Sequence, residues 1–374
     1  MSLSFHSKVD IRFAAGEITA TGEIIKAAGW QRVLIFTDRR LKELGFSRRL
    51  KEIISKNNLT VEVFSGVKPN PKKEIIKQGV EKARDFEPDV IAALGGGSVL
   101  DAAKAAGIWY SNPEKDLFQL KDPGKRKNPM LPVITIPTTA GTGSEITSWA
   151  VITDPGTPAK VSIGGEKMTP AAAVIDPELT RSLPAELTIW TGLDAFSHAL
   201  EAYLSKFANA FIQDICYLAM KRLIKYLPRA ADKGENLAAR SEVMLGSLLA
   251  GWAMENAGLG LIHGMSHQVS AFYNYQHGLT NSLLLSPVLE YNCEYCKEEL
   301  QNLTDLFPGN KDFLESMERF CNLLGFKKEL EIKSTDLPRL TVQTLENVNS
   351  QTNPRKPSAR EVEELFCRAF KIKE

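Results

Sequence analysis

Cysteine is scarce in this sequence and its count is odd, with five in 374 residues. So few cysteines in so long a chain do not make a disulfide scaffold, and we expect a protein of the reducing cytoplasm. No run of 18 or more apolar residues occurs, and residues 1–13 lack a basic start followed by an apolar stretch. The sequence therefore predicts neither a membrane span nor a secretory signal.

The sequence also has no excess of either charge: it contains 46 Lys and Arg residues and 45 Asp and Glu residues, which gives a formal net charge of +1. Nucleic-acid binding relies on clustered cations, so we expect no nucleic-acid partner. Hydrophobic residues make up 43% of the chain and charged residues 24%, which is typical of a globular protein. A length of 374 residues favours two domains.

The two halves of the chain differ in composition. Thirteen of the 19 prolines fall at or before Pro184. Short β-branched runs occupy the first half, at residues 32–37, 60–64, 89–94, 131–136, 148–153 and 173–175. Stretches with helical periodicity alternate with them, at residues 41–56, 73–86 and 98–109, whereas long helical segments such as 187–203 and 242–256 fill the second half. We therefore predict a Rossmann-like α/β domain with a parallel sheet over residues 1–180 and an all-helical domain over residues 181–374.

A glycine-rich loop follows the apolar run 89–94. Gly95, Gly96, Gly97 and Ser98 lead directly into a helical stretch. The glycines let the backbone approach a ligand closely, and the start of a helix offers unpaired N–H groups to a pyrophosphate. The pattern is not the usual GxGxxG fingerprint, and a tight strand–helix turn is the alternative. Asp38, at the end of run 32–37, can accept a hydrogen bond from a ribose hydroxyl or serve as a helix N-cap.

A second polar cluster, Pro137-Thr-Thr-Ala-Gly-Thr-Gly-Ser-Glu145, follows the run 131–136. Hydroxyls and glycines at the carboxyl edge of a parallel sheet suit a ligand rich in oxygen. The alternative is an ordinary Ser/Thr turn.

Four of the five histidines lie within 80 residues of the helical half. Asp194 and His198 are four positions apart, as are His263 and His267, so each pair shares a helix face. His277 follows at a predicted helix start. One carboxylate and several imidazoles on two helices and a turn predict a divalent-metal site. Spacing alone leaves open whether His267 is a ligand or lies behind one.

These motifs together resemble the iron-containing (type III) alcohol dehydrogenases, over nearly the whole chain. The segments that carry the resemblance are Val67-Lys-Pro-Asn-Pro71, Gly95-Gly-Gly-Ser-Val-Leu-Asp-Ala-Ala-Lys104, Pro137 to Glu145, Gly192-Leu-Asp-Ala-Phe-Ser-His-Ala-Leu-Glu-Ala-Tyr203 and His263-Gly-Met-Ser-His-Gln268 with His277-Gly278. The resemblance implies a dehydroquinate synthase-like architecture and a metal-dependent, NAD(P)-linked alcohol dehydrogenase acting on alcohols, aldehydes or ketones.

The resemblance also implies roles for individual residues. Asp194, His198, His263 and His277 would hold one divalent metal, expected to be Fe²⁺ in the cell, with Zn²⁺ or Ni²⁺ able to replace it in purified protein. His267 would lie beside the nicotinamide as the catalytic residue. The dinucleotide would be bound by Asp38, Asn70, Gly95, Gly96, Gly97, Ser98, Thr138, Thr139, Thr142, Thr147 and Lys160. Trp149 and Met254 are assigned to the substrate pocket, where the family commonly has Phe-Asn in place of Met254-Glu255.

Two other readings of the same architecture remain open. A glycerol dehydrogenase-like polyol oxidoreductase shares the motifs, and a sensor would bind nucleotide and metal without turnover. A dehydroquinate synthase would need a cationic nest, which the segments around Asp194 and His263 lack. Residues 302–349 match least, and no function is predicted for them.

Cofactor choice and assembly complete the expectations. Asp38 favours NAD, because its carboxylate would repel the 2′-phosphate of NADP, although Arg39 and Arg40 next to it could pair with that phosphate. Residues 8–13 alternate with a strand period, and in the family such an N-terminal strand pairs across a two-fold axis. We therefore expect a homodimer.

Overall fold

The computed structural model of the protein describes residues 8–154, 156, 159–307, 309, 312–325 and 328–374. The expectation about a secretory signal falls partly on residues 1–7, which lie outside the described residues. The chain divides into two compact units between Thr180 and Arg181. Each unit has its own secondary structure and is described by itself.

The first unit is built on a six-stranded sheet in which every pair of neighbours is parallel. Its strands are β1 (Asp10–Phe13), β2 (Arg32–Asp38), β3 (Thr60–Val67), β4 (Val90–Gly95), β5 (Val133–Pro137) and β8 (Ala172–Ile175). The order across the sheet is β1-β8-β5-β4-β2-β3. Four consecutive strands of the sheet are thus β5, β4, β2 and β3. The predicted glycine loop follows the carboxyl end of β4, and the predicted threonine loop follows that of β5.

Helices cover both faces of this sheet, which explains why its central strands are continuous apolar runs. The helices are α1 (Thr21–Ala27), α2 (Arg39–Glu43), α3 (Phe46–Ser55), α4 (Lys73–Phe86) and α5 (Gly97–Ser111). Val33 and Ile35 of β2 pack into one core with α3, whereas Leu34 and Phe36 pack into the other with α4 and α5. This alternation follows from the two-residue period of a strand. The predicted α/β fold is confirmed.

Three local predictions for this unit were inaccurate. The helix expected over residues 41–56 is broken at Gly45, whose φ of +83° is a left-handed conformation that glycine adopts without strain. The run expected at 148–153 is β6 (Trp149–Asp154), but it lies outside the parallel sheet. It pairs antiparallel with β7 (Ala159–Gly164), a strand that the sequence analysis missed.

The second unit is almost entirely helical, as predicted. Its long helices are α6 (Ala185–Leu204), α7 (Ala210–Asp232), α8 (Leu237–Ala257), α9 (Leu261–Tyr273) and α10 (His277–Asn292). Shorter helices follow, namely α11 (Lys297–Asn302), α12 (Phe313–Leu323), α13 (Leu337–Glu346), α14 (Val348–Thr352) and α15 (Ala359–Ala369). The exception is a small parallel pair, β9 (Glu331–Lys333) with β10 (Lys371–Lys373).

Residues 287–299, which include Cys293 and Cys296, do not form one helix. The helix α10 ends at Asn292, a 3₁₀ turn covers Cys293–Tyr295, and α11 begins at Lys297. Both cysteines of this segment are free, and burial raises the pKa of the Cys296 thiol to about 12. The Cys296 thiol is therefore unreactive as a nucleophile near neutral pH. Among the described residues, no helix is both long and apolar enough to cross a membrane.

Candidate metal centre and nucleotide loops

The four predicted metal ligands converge in the second unit. Asp194 and His198 come from α6, His263 from α9, and His277 is the first residue of α10. The Oδ1 atom of Asp194 lies 3.6 Å from Nε2 of His198, 3.5 Å from Nε2 of His263 and 3.8 Å from Nε2 of His277. One carboxylate oxygen thus faces three imidazole nitrogens.

A glycine lets the third helix approach closely enough for this arrangement. A Cβ on Gly278 would overlap the backbone carbonyl of Trp190 on α6 and would lie 3.4 Å from Cβ of Asp194. Because glycine carries no Cβ, the first turn of α10 rests against α6 and places His277 beside Asp194. Gly278 thus allows the close helix contact that brings its neighbour His277 into the cluster.

Burial and charge shape the titration of the cluster. Burial alone would raise the pKa of Asp194, but the neighbouring imidazoles, with His198 and His277 foremost, hold it below its usual range. Burial likewise opposes the charged form of His263, yet the carboxylates of Glu201 and Asp194 raise its pKa to about 9. The group thus strongly favours a positive charge next to the Asp194 carboxylate.

The donor set fits a divalent transition-metal ion. The ligand atoms of Asp194, His263 and His277 all lie within 4.8 Å of one another, and the side chain of His277 is 26% exposed while those of the others are at most 5% exposed. One carboxylate oxygen with imidazole nitrogens suits Fe²⁺, Zn²⁺ and Ni²⁺. The partial exposure of His277 leaves an approach to the cluster.

Two further side chains touch this cluster, and the sequence analysis missed both. The Nδ2 atom of Asn281 donates to Oδ1 of Asp194 at 2.6 Å and lies 3.0 Å from Nε2 of His263, while the Asn281 amide oxygen is buried without a hydrogen-bond partner. Glu201 contacts His263 from the other side. Spacing gave only a weak signal for them, since Asn281 is four positions after His277 and Glu201 is three after His198, as any residues on one helix face can be.

The predicted catalytic residue His267 lies beside the cluster on α9. It is 7% exposed, and its ring centroid is 5.8 Å from that of His263 and 5.1 Å from that of His277. It therefore shares a helix face with His263 and lies next to the histidine cluster.

The two predicted nucleotide loops touch each other in the first unit. A Cβ on Gly96 would lie 3.2 Å from Cγ2 of Thr139, and one on Gly97 would lie 2.6 Å from Cγ2 of Thr142. Gly96 precedes α5 and no side chain caps that helix. The N–H groups of Val99 and Leu100 bond to O of Gly96, which leaves those of Gly97 and Ser98 without an intrahelical acceptor. Gly95 ends β4, and Ser98 lies in the first turn of α5.

A buried lysine holds the second loop against α5. The Nζ atom of Lys104 is fully buried and donates to the backbone carbonyls of Ser144, Thr147 and Trp149. Asp101, one turn earlier, accepts from Oγ of Ser144 at 2.5 Å and from N of Val151 at 3.0 Å. The helix after the glycine loop thereby fixes the shape of the threonine loop.

The remaining predicted nucleotide residues lie around the same edge. Asp38 is the N-cap of α2 and accepts from N of Leu41 at 2.8 Å. Asn70 has a φ of +51° and accepts from Nζ of Lys160 at 2.6 Å. Burial lowers the pKa of Lys160 to about 8, opposed by the Asp101 carboxylate. The other members follow β5, with Thr138 and Thr147 buried and Thr139 and Thr142 partly exposed.

The two residues assigned to the substrate pocket belong to different units. Trp149 begins β6, is 44% exposed and packs over Gly164, where a Cβ would overlap its indole ring. Met254 is half-buried near the end of α8.

Comparison with known proteins gives matches over both units. The family model for iron-containing alcohol dehydrogenase matches residues 9–177, and the C-terminal model of the Fe-containing family matches residues 188–370. The chain belongs to the iron-containing alcohol dehydrogenase family. It is thus an alcohol dehydrogenase, as the resemblance implied, with the fold of that family.

Individual relatives of this dehydrogenase match over nearly its whole length. It is 34% identical over 368 residues to the NAD-dependent methanol dehydrogenase of Bacillus methanolicus, covering 95% of this chain and 96% of the relative. It is 34% identical over 373 residues to the 1,3-propanediol dehydrogenase of Citrobacter freundii, covering 96% of each. The solved alcohol dehydrogenase from Oenococcus oeni superposes with a TM-score of 0.92 at 31% identity, over 99% of this chain and all of the other.

Proposed function

We propose that this alcohol dehydrogenase binds Fe²⁺ through Asp194, His198, His263 and His277 and uses NAD to interconvert short aliphatic alcohols or diols with their aldehydes. The observation that carries the proposal is the convergence of three Nε2 atoms within 3.8 Å of one carboxylate oxygen. The names of relatives support the substrate class, because methanol, 1,3-propanediol and lactaldehyde are all short.

Bound groups supply the chemistry that side chains lack. A divalent metal held by Asp194, His198, His263 and His277 would supply Lewis-acid chemistry. A nicotinamide cofactor bound at the loops of the first unit would supply the hydride acceptor for alcohol oxidation and the hydride donor for the reverse reaction.

The chain's own residues bind, orient and manage the proton. The Asp194 carboxylate and the three imidazoles would hold the metal at one fixed point, and the substrate oxygen would be oriented relative to that point. An imidazole nitrogen of His267 takes the alcohol proton during oxidation and returns it during reduction, since this ring lies beside the cluster. The burial of His198 and His263 keeps bulk water from those ligands.

The nucleotide site is assigned to the edge formed by the glycine and threonine loops. The uncapped first turn of α5 offers N–H groups to the pyrophosphate, and the close packing of Gly96 and Gly97 against threonines shapes the cradle. We assign the ribose to Asp38 and further contacts to Asn70, Thr138, Thr147 and Lys160. Trp149 and Met254 are proposed for the substrate pocket.

Metal loading and activity test the proposal together. We expect protein reconstituted anaerobically with Fe²⁺ to oxidise short alcohols with NAD, and Asp194→Ala and His263→Ala to lose metal and activity in parallel. Asp214→Ala, at an exposed position of α7, is the control and should keep both. A variant without bound metal and with full turnover would contradict the site. Reconstitution in which Zn²⁺ restores more activity than Fe²⁺ would contradict iron.

We also propose a homodimer in the cytoplasm. The five cysteines are all free thiols, which supports a reducing compartment. Cell fractionation that finds the protein outside the cytosol would contradict this location.

A further inference from the structure

Glu201 is a buried carboxylate with two hydrogen-bond donors on it, and the proposed chemistry does not use it. It lies on α6, is 5% exposed, and its Oε2 is 2.5 Å from Nδ1 of His263. Its Oε1 accepts from the backbone N–H of Ile262 at 2.6 Å. Both oxygens therefore act as acceptors toward the first turn of α9.

This pairing determines which nitrogen of His263 carries a proton. A carboxylate can only accept, so Nδ1 of His263 must be the N–H donor toward Glu201. The other ring nitrogen, Nε2, faces Oδ1 of Asp194 at 3.5 Å. With one proton held on Nδ1, a metal that replaces the proton on Nε2 meets the lone pair of that nitrogen at the position shared by Asp194 and His277.

The surroundings of Glu201 are built to hold the carboxylate there. The N-cap residue of α9 is Gly260, which has no side chain to cap the helix. A Cβ on Gly260 would lie 2.8 Å from Oε1 of Glu201. The next N–H, on Leu261, is accepted by Oδ1 of Asn353 at 3.2 Å. Asn353 is in turn fixed by a reciprocal amide pair with Asn292. Two residues from other elements thus cap α9, and only Glu201 also reaches the histidine.

We propose that Glu201 is a positioning residue for the metal centre, which holds His263 in the Nδ1–H tautomer with Nε2 aimed at the metal and makes that nitrogen a stronger donor. The inference rests on the metal site proposed above. A carboxylate behind a ligating histidine commonly increases metal affinity by about 10- to 100-fold. Glutamine cannot replace it, because its amide has one acceptor oxygen and its NH₂ group would face an N–H.

The test compares metal affinity in Glu201→Gln with two controls. Glu186→Gln lies on the same helix and removes an exposed ion pair with Lys328. Asn353→Ala removes the neighbouring cap on Leu261 without touching His263. Zn²⁺ and Co²⁺ dissociation constants are measured on the whole protein by competition with a chelator. We expect binding about 10- to 100-fold weaker in Glu201→Gln, and values close to wild type in both controls.

A spectroscopic measurement separates positioning from helix capping. In the Zn²⁺-loaded wild type, the Nδ1 proton of His263 should resonate far downfield because it is bonded to a carboxylate, and it should move upfield in Glu201→Gln. If Glu201 serves only as a cap, Asn353→Ala will weaken metal binding as much as Glu201→Gln, and the inference is wrong. Unchanged affinity and an unchanged resonance in Glu201→Gln overturn it as well.

Two further outcomes are informative. If wild type itself binds no divalent metal, the proposed function fails, and the inference with it. If Glu201→Gln does not fold, Gly260→Ala supplies a second variant, since its new Cβ would displace the Glu201 carboxylate. Metal affinity of Gly260→Ala that equals wild type would also contradict the proposal.

Discussion

Asn281 brings a neutral amide into a group of ionisable ligands, with Nδ2 2.6 Å from Oδ1 of Asp194. Asn281→Asp would replace the amide that donates to Asp194 with a second carboxylate. We expect the lost hydrogen bond and the repulsion from Asp194 to outweigh the attraction to His263 and to destabilise the metal-free protein by about 2 kcal/mol. That corresponds to a melting temperature about 4–8 °C lower. Bound metal would neutralise the pair, so saturating Zn²⁺ should raise the melting temperature more than in wild type.

The matched control at this position is Asn281→Leu, which has a similar volume and no charge. Its metal-induced change in melting temperature should be close to that of wild type. Differential scanning calorimetry with and without Zn²⁺ checks both variants. A metal-free Asn281→Asp protein that melts at the wild-type temperature would show that its carboxylate does not face Asp194.

Cofactor choice also depends on single residues. Asp38 is expected to repel the 2′-phosphate of NADP, whereas the Arg39 guanidinium is paired with Glu43 at 2.7 Å on the surface of α2. Asp38→Asn keeps an oxygen to cap Leu41 and removes the charge. We expect wild type to favour NADH, and Asp38→Asn to lower the ratio of kcat/KM for NADH over NADPH by about 10-fold or more. A wild-type preference for NADPH would mean that Arg39 and Arg40 decide the choice.

At the scale of elements, α5 holds the threonine loop through one ammonium group. Lys104→Met would leave three carbonyls without their donor, at a cost of about 3 kcal/mol or more. Urea unfolding should show this loss, and fluorescence titration should show NADH binding at least about 10-fold weaker. Lys77→Met, on the exposed face of α4, should change neither quantity. If Lys104→Met binds NADH as tightly as wild type, the threonine loop does not contribute to the nucleotide site.

The same loop should make stability depend on pH. Burial raises the pKa of Glu145 to about 7, against its own backbone hydrogen bond and the Lys104 ammonium. The folded protein therefore binds this proton more tightly than the unfolded chain, and stability from it is lost as pH rises from about 4.5 to 7. Glu145→Gln should match wild type near pH 4.5 and exceed it at pH 8 by about 3 kcal/mol. Urea titrations across this range test it, and a difference independent of pH would contradict it.

Sequence reasoning succeeded where one local signal determines an element. The strands β2, β4 and β5 follow from buried apolar runs, and α4 was predicted with its observed bounds. It failed at Gly45, where a single left-handed residue divides a helix whose apolar period continues across it. It also missed β7, whose pairing with β6 is tertiary, and therefore placed β6 in the wrong sheet.

In the candidate site, too, some residues were predictable from local sequence patterns and others only from tertiary packing. The residues that form the cluster were predictable because imidazoles and carboxylates in close spacing are typical ligands of divalent metals. Asn281 and Glu201 were missed because an amide or a carboxylate at helical spacing is ordinary in any helix. Only the packing of α6, α9 and α10 shows that they face the histidines.

At the scale of the whole molecule, the edge strand β1 offers a test of assembly. It pairs with β8 on one side, and no strand in the described part of the chain pairs with its other side. The N–H groups of Asp10 and Ala14 bond toward β8, so the alternation of a strand directs the N–H of Ile11 outward. Ile11→Pro should therefore abolish a dimer formed through this edge, and Ile11→Thr should retain it.

Light scattering at micromolar concentration measures the outcome. We expect twice the mass of the chain for wild type and Ile11→Thr, and the mass of a single chain for Ile11→Pro. A monomeric wild type would refute the dimer. A dimeric Ile11→Pro protein would place the interface elsewhere.

The pairing of β1 with β8 also has a consequence for the order in which the protein is assembled during synthesis. Asp10 pairs with Ala172, about 160 positions later in the chain. At typical rates of translation β1 must wait roughly 10–30 s for its partner, with both of its edges open. Closing so long a loop is also entropically costly, so this ladder should form last in its unit and exchange its amide hydrogens first. The newly made chain is therefore most exposed to premature association through β1 until β8 has been translated.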